Sequence, residues 1–420
     1  MAGAETAWAD LLGGVAFERL VPGSGAEALA GREQAQALER AGVVEFARAS
    51  SSAATPMTVL VNDSHRPTDS AGFLRALFLL LDAAGVTPGL RLLVAAGSHR
   101  ADDEEKRAHE QAVLGAYADR FAEIAWHDAA DTARLSPVGD YQLHSWMAEG
   151  GWYLACGSVE PHYFAGLTGA HKTLSVGVMS LKSLAANHEG AMSPDAAGLR
   201  LDGNPVYEGV AAAISALENS GARLLALNQV LLDGELVGVS AGHPLASLHE
   251  LLPLMRSSFV QQLAAPVDLL VARVAPPLDR DLYQADKGIK NTEAAVSDGG
   301  LLLLEATCAG GTGIDHFVEL MKACPDHASA LATVRDRGYR LGDHKAVRLR
   351  ALTDLRGVRL ALVSKGVDPA LEATLGMRIF AGREEAAAWA RGLLPASSQG
   401  LLVEDAGNVT LEIKEPGDGA

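Results

Sequence analysis

Cysteine is scarce in this chain: three among 420 residues, Cys156, Cys308 and Cys324. Three dispersed thiols exclude a disulfide framework and a structural zinc site, and they fit packed side chains in a reducing, cytoplasmic compartment. Positive charge is also in deficit. A formal net charge of −17 opposes a phosphate backbone, so nucleic acid is not expected as a partner. The longest apolar run, residues 76–85, is interrupted by Asp82, so no segment is expected to span a membrane. The opening MAGAETAWADLLGG has acids and no basic stretch ahead of an apolar one, and does not read as a secretory signal. Nucleotide fingerprints are missing too. No G-x-G-x-x-G opens a helix after a first strand and no P-loop pattern occurs, which removes the main support for nicotinamide dinucleotide binding.

What is present is an α/β rhythm. A chain of 420 residues exceeds what one hydrophobic core serves, so two domains are expected. Apolar runs of strand length, MTVLV (57–61), RLLVAAG (91–97) and WYLACG (152–157), alternate with helical SAGFLRALFLLLDAAG and the acidic ADDEEKRAHEQAVLGAYADRF. That alternation predicts a mainly parallel sheet covered by helices. Residues 223–242 hold an Asp-Gly pair between apolar runs and predict a β-hairpin. After a helical SLHELLPLMRSSFVQQLAA, a second α/β series runs through VDLLVARV (267–274), LLLLEATC, a helix over 315–324 and RLALVSKG (359–366).

The chemistry concentrates in EPHYFAGLTGAHKTLSVGVMSLKSLAANH, residues 160–188. The turn around Gly166, Thr168 and Gly169 breaks regular structure, so backbone N–H groups there can face an anion such as a phosphate. His188 is suited to ligate a transition metal through a neutral imidazole, and Lys172 to act as a nucleophile or covalent anchor if its amine is desolvated. At about 100° per residue, Lys172 and His188 would lie about 160° apart on one straight helix. They share a site only if the helix bends or stops, and Gly177 is the natural place. VNDSHRPT (61–68) and AAGSHR (95–100) follow predicted strands directly, at the sheet edge where α/β proteins bind ligands. There Arg66 offers a planar fork for a carboxylate, and Asp63 a group to hold a loop or a cofactor hydroxyl.

Four blocks in this order resemble the lactate racemase family, which uses a nickel-pincer nucleotide. They are VNDSHRPT, GSHR (97–100), the segment with His162, Lys172 and the Asn187-His188 pair, and LYQADKGI (282–289). The resemblance implies two α/β domains with mainly parallel sheets and the active site in the cleft between them. It places the boundary near Ala264, giving domains of 1–264 and 265–399, with 400–420 read as a strand and hairpin returning to the first. It implies the nickel-pincer nucleotide as cofactor, a small 2-hydroxy acid as substrate, and the enzymes that build the nucleotide as partners. His99 and His162 become a pair of acid/base catalysts, His188 the nickel ligand, and Lys172 the residue able to bind the cofactor covalently. Asp63, Thr168 and Gly169 fall among the cofactor contacts. Arg66 and Lys287 become cations for the substrate carboxylate, with Gln284 and Tyr283 beside them. The implied reaction is racemisation or epimerisation at C2, by abstraction of hydride to the pincer ring and its return to the opposite face.

Three departures bear on the substrate. His65 stands where many relatives have a small hydroxylated residue, Asp69 where a proline is usual, and His171 precedes Lys172. Extra polar groups beside the site point to an acid larger or more polar than lactate. Two other classes remain in view: a metal-dependent hydrolase or dehydratase using the same histidines, which would normally need carboxylate ligands, and a non-catalytic carrier of the nickel cofactor, which would not need His99 and His162 together.

Overall fold

The computed structural model describes residues 7–414 apart from 14, 22–25, 30, 54, 233 and 396. It divides into two compact units, Ser24–Ser258, and Met1–Gly23 together with Phe259–Ala420.

The first unit is built on a six-stranded sheet. Its strands are β1 (Met57–Asn62), β2 (Leu90–Ala95), β3 (Glu123–Trp126), β4 (Trp152–Ser158), β5 (Arg223–Leu232) and β6 (Glu235–Gly242). Their spatial order is β6-β5-β4-β1-β2-β3. All neighbours are parallel except β5 and β6, the antiparallel hairpin expected over 223–242; Asp233 of its turn lies outside the described residues. The chain runs outward from β1 through β2 to β3, then restarts on the other side of β1 with β4. This reversal leaves a crevice outside the carboxyl ends of β1 and β4, where ligands bind in open α/β sheets.

Alternation along the strands explains why these segments pair. Met57, Val59 and Val61 of β1, Leu92 and Val94 of β2, and Leu154 and Cys156 of β4 share one core, against Phe73, Leu77 and Leu81 of helix α1 (Ser70–Ala83). Each such side chain contributes about 1.5–3 kcal/mol when removed from water. Asp69 starts α1. Its carboxylate accepts from Gly72 N–H at 2.8 Å and from Gln34 Nε2 at 2.8 Å, a cap that contributes about 0.5–2 kcal/mol.

The second unit carries an all-parallel sheet, in the order Ala16–Leu20, Gln399–Val403, Val267–Arg273, Val296–Glu305, Arg359–Val363, Met377–Phe380. Three segments lie elsewhere than in the sequence reading, which assigns 1–264 and 400–420 to the first domain. Gln399–Val403 does not return to the first unit; it pairs with both Val267–Arg273 and Ala16–Leu20. Its last four residues are buried, and a strand buried on both faces belongs inside a parallel sheet rather than in an exposed tail hairpin. Thr410–Ile413 likewise pairs with Val260–Leu263, a short strand where a helix was expected to continue. The start of the chain follows the same logic. Trp8 is 2% exposed, packs with Leu269 and Leu303, and donates from Nε1 to Glu305.

All three cysteines are buried free thiols. No described helix is long and apolar enough to cross a membrane.

Candidate active site

A pocket opens at the crevice between β1 and β4. It is lined from four chain segments: Asn62, Asp63 and Arg66 at the end of β1 and after it; Gly97, Ser98 and His99 after β2; Ser158 and His162 at the end of β4 and after it; and Thr168, Gly169, Lys172 and Thr173 with Gly177 and His188 beyond. Three of the four blocks singled out in the sequence therefore converge on one cavity. The two strand ends are tied together beneath it. Thr68 Oγ1 donates to Asn62 Oδ1 at 2.8 Å and accepts from Ser158 N–H at 3.0 Å, and Asn62 Nδ2 donates to Thr173 Oγ1 at 3.1 Å.

The backbone between Lys172 and His188 does stop and turn. A single helical turn, Ala170–Thr173, gives way to a 3₁₀ turn at Val176–Val178, and a new helix, α2 (Leu181–Glu189), carries His188. Gly177 sits in the break, where a Cβ would lie 2.9 Å from Ala95 Cβ. Gly169 has φ of 145°, and a Cβ there would come 2.8 Å from Asn228 Oδ1, the acceptor for Ala170 N–H. Only glycine fits that corner.

Asp63 organises one wall. It is 5% exposed, and its Oδ2 lies 2.8 Å from His99 Nδ1 and 3.2 Å from His65 Nδ1. Burial pushes its pKa up, but the hydrogen bond from His99 and the charges of His99 and His65 outweigh this and hold it below the usual carboxylate range. An ionised carboxylate only accepts, so Nδ1 of His99 carries the hydrogen and Nε2 is left as the basic nitrogen. Asp63 thus orients His99 through Oδ2 and holds its own loop through Oδ1, which accepts from His65 N–H at 3.2 Å.

His162 is half-buried opposite, its Nδ1 3.4 Å from Ala165 N–H and its ring edge-on to Phe164 at 4.4 Å between centroids. Arg66 lies 3.6 Å from Glu160, with side chains 29% and 27% exposed. At that length and exposure the pair contributes little. Lys172 is 8% exposed. His188 Nδ1 is buried and makes no hydrogen bond of good geometry; burial and the Lys172 charge push its pKa down to about 3, so its imidazole is neutral.

Other candidates take different parts. Thr168 lines the pocket, but its hydroxyl donates to Ser158 O at 2.7 Å and accepts from Glu160 N–H at 2.8 Å, so it shapes the turn. Asn187 pins α2 to its neighbour by donating to Val206 O at 2.9 Å. His171 is fully buried and absent from the pocket wall, 5.9 Å between centroids from Tyr207. Successive helical residues point about 100° apart, so His171 turns inward while Lys172 faces the cavity. Asp69 is committed to its helix cap. Neither therefore supports a more polar substrate.

In the second unit, Asp281 caps the helix α3 (Leu282–Thr292) by accepting from Gln284 N–H at 2.8 Å. Tyr283, Gln284 and Lys287 are all half-buried on that helix. Sequence reasoning missed the pair beneath them: Asp286 and Lys345, each side chain 4% exposed, meet at 3.1 Å, and Lys345 Nζ sits 4.6 Å from the Tyr283 ring centre. Asp286 falls inside LYQADKGI but Lys345 follows no motif, so no local signal joined them.

Residues 32–199 match the model of the lactate racemase N-terminal domain, and residues 264–405 that of the lactate racemase C-terminal domain. The chain belongs to the lactate racemase family. It is 26% identical over 297 residues to a lactate racemase of Thermoanaerobacterium thermosaccharolyticum, covering 67% of each chain. It is 27% identical over 276 residues to that of Lactiplantibacillus plantarum, covering 62% of each. The fold resembles the lactate racemase apoprotein of the first organism, with a TM-score of 0.80 at 21% identity over 97% of this chain and 96% of that one. A Thermotoga maritima protein is similar at a TM-score of 0.68 and 14% identity, over 93% and 100% of the two chains.

The buried histidines make stability depend on acid. Burial pushes His144 and His171 down to about 3. Unfolding returns them to about 6.5, so between those values the unfolded chain binds more protons and stability falls as pH falls. The urea midpoint is expected to drop on acidification from pH 6.5 toward 4, with a shallower drop in His144→Asn. A flat profile would show that the two rings are already protonated in the native state.

Proposed function

We propose that the chain interconverts the two configurations at C2 of a 2-hydroxy acid, using the nickel-pincer nucleotide. Membership of the lactate racemase family places it among isomerases. The observation that carries the reading is that His99 and His162, from loops after different strands, line one pocket with Arg66, Lys172 and His188.

The residues fit the cofactor. His188 offers a neutral imidazole whose buried Nδ1 makes no well-aligned hydrogen bond, the ring's polar contact being with the backbone of Leu184, a suitable nickel ligand. Lys172 stands close enough for its charge to act on His188, where it can anchor the organic part. Gly169 admits close approach. When bound, the group supplies a hydride-accepting centre, which lets C2 be inverted without a carbanion beside a carboxylate.

The protein's own part is proton handling and orientation. His99, held by Asp63, takes the hydroxyl proton of one enantiomer, and His162 serves the other. Arg66 holds the carboxylate through its planar fork. Lys287, with Tyr283 and Gln284, is proposed as a second carboxylate contact on the family resemblance. With Asp69 committed to its helix cap and His171 off the pocket wall, the reading is of a 2-hydroxy acid, with His65 left as the support for a larger one. The three buried free thiols fit the reducing, cytoplasmic setting proposed for the chain.

The test is a screen of pure 2-hydroxy acid enantiomers, followed by polarimetry, with protein produced alongside the enzymes that make the nucleotide. A charged hydrogen bond contributes about 1.5–3 kcal/mol, so Arg66→Gln is expected to lower kcat/KM roughly 10- to 150-fold on the acid that turns over. Lys287→Gln is expected to act in the same direction. Absence of inversion with every acid, in protein shown to contain nickel, would defeat the reading.

A further inference from the structure

We propose that Asp63, His65 and His99 form a second metal site, for a divalent cation of the zinc class, distinct from the nickel ligand His188. The inference does not depend on the isomerase reading, because it rests on three side chains and their spacing. One oxygen of Asp63, Oδ2, faces Nδ1 of both imidazoles, at 3.2 Å from His65 and 2.8 Å from His99. The three ligand atoms lie within 4.8 Å of one another, and the rings are 4.3 Å apart between centroids.

Zinc bonds of about 2.0–2.2 Å to imidazole nitrogen and carboxylate oxygen put neighbouring tetrahedral ligands roughly 3.3 Å apart. The observed separations are within reach of that without moving the backbone. A cation here replaces two N–H donors aimed at one oxygen, and each imidazole shifts its hydrogen to Nε2 as Nδ1 takes up the metal. Two nitrogens and one carboxylate select zinc, cobalt or nickel over magnesium or calcium. Three protein ligands leave the remaining position to water, as in open zinc sites.

The surroundings support the geometry. Asp63 is a rigid anchor: 5% exposed, with Oδ1 accepting from His65 N–H at 3.2 Å, the kind of outer contact that orients a ligating carboxylate. The imidazoles are 44% exposed for His99 and 39% for His65, so a cation reaches them from solvent. Asp63 and His99 line the pocket and His65 does not. Occupancy would therefore withdraw His99 Nδ1 from Asp63 and change the pocket wall, while His65 serves the cation alone.

The probe is Co²⁺, whose d–d absorption reports imidazole coordination, titrated into full-length protein made without the nucleotide-building enzymes. One equivalent is expected to bind and to be displaced by one equivalent of Zn²⁺. Loss of an outer-shell partner alone costs roughly 10–100-fold in metal affinity, so His65→Gln, removing a direct ligand, is expected to weaken binding at least 100-fold with an unchanged circular dichroism spectrum. His188→Ala is expected to bind Co²⁺ as the wild type does. The proposal is overturned if wild-type protein shows no saturable band, if His65→Gln loses less than tenfold, or if His188→Ala abolishes the band and so places the cation at the nickel ligand.

Discussion

Replacing His99 or His162 with alanine is expected to slow C2 inversion by roughly 10²–10⁴, the range that positioned acid/base groups contribute. The loss should be equal in both directions for either variant. Two enantiomers have the same free energy, so the ratio of kcat/KM in the two directions is fixed at one whichever base is removed. The bases act in sequence on one proton inventory, so the double variant should be little slower than either single one, the non-additivity seen when groups act as a unit. Polarimetry from each pure enantiomer reads all three variants. If His162→Ala kept more than a tenth of wild-type activity, His99 or water would be serving both faces, and the two-base arrangement would fall.

How far this site was legible depends on whether a residue's partner is local or distant. VNDSHRPT and AAGSHR could be placed because each follows an apolar run that ends in a turn, and the carboxyl end of a parallel strand is where a ligand sits. The break at Gly177 was legible from helical geometry alone. What His65 and Asp63 do was not. Both lie in one block, but the ring that completes the cluster, His99, belongs to the loop after β2, and only the parallel pairing of β1 with β2 brings the loops together.

His171 and Asp69 misled for a related reason. A polar residue next to a site residue in sequence was read as next to it in space. On a helix, the neighbour of Lys172 points about 100° away, and at a helix start Asp69 answers first to the unsatisfied N–H groups. The tail failed differently. QGLLV carries no mark of which sheet it joins, and its insertion between Ala16–Leu20 and Val267–Arg273 is a choice made by partners hundreds of residues apart. The Asp286–Lys345 pair was silent as well, since two charged residues on separate helices look solvated until both are found buried.

His188→Ala is expected to remove nickel from protein made in cells that also build the nucleotide, and with it all isomerase activity. If the nickel-pincer nucleotide is the cofactor, as proposed, it would bring most of the metal's donors itself, and His188 would be the residue through which the protein holds the nickel. His188 suits that role: its ring is neutral, and its buried Nδ1 makes no well-aligned hydrogen bond, the ring's polar contact being with the backbone of Leu184. Alanine leaves Lys172 in place, so the variant separates two functions that the wild type combines. Elemental analysis reads the metal, and intact mass reads any organic group held covalently by the lysine. Loss of nickel with a retained mass adduct would mean that Lys172 anchors and His188 ligates. Full nickel content in His188→Ala would remove His188 from the coordination sphere, and the pocket's remaining imidazole opposite Asp63, His162, would become the ligand to test next.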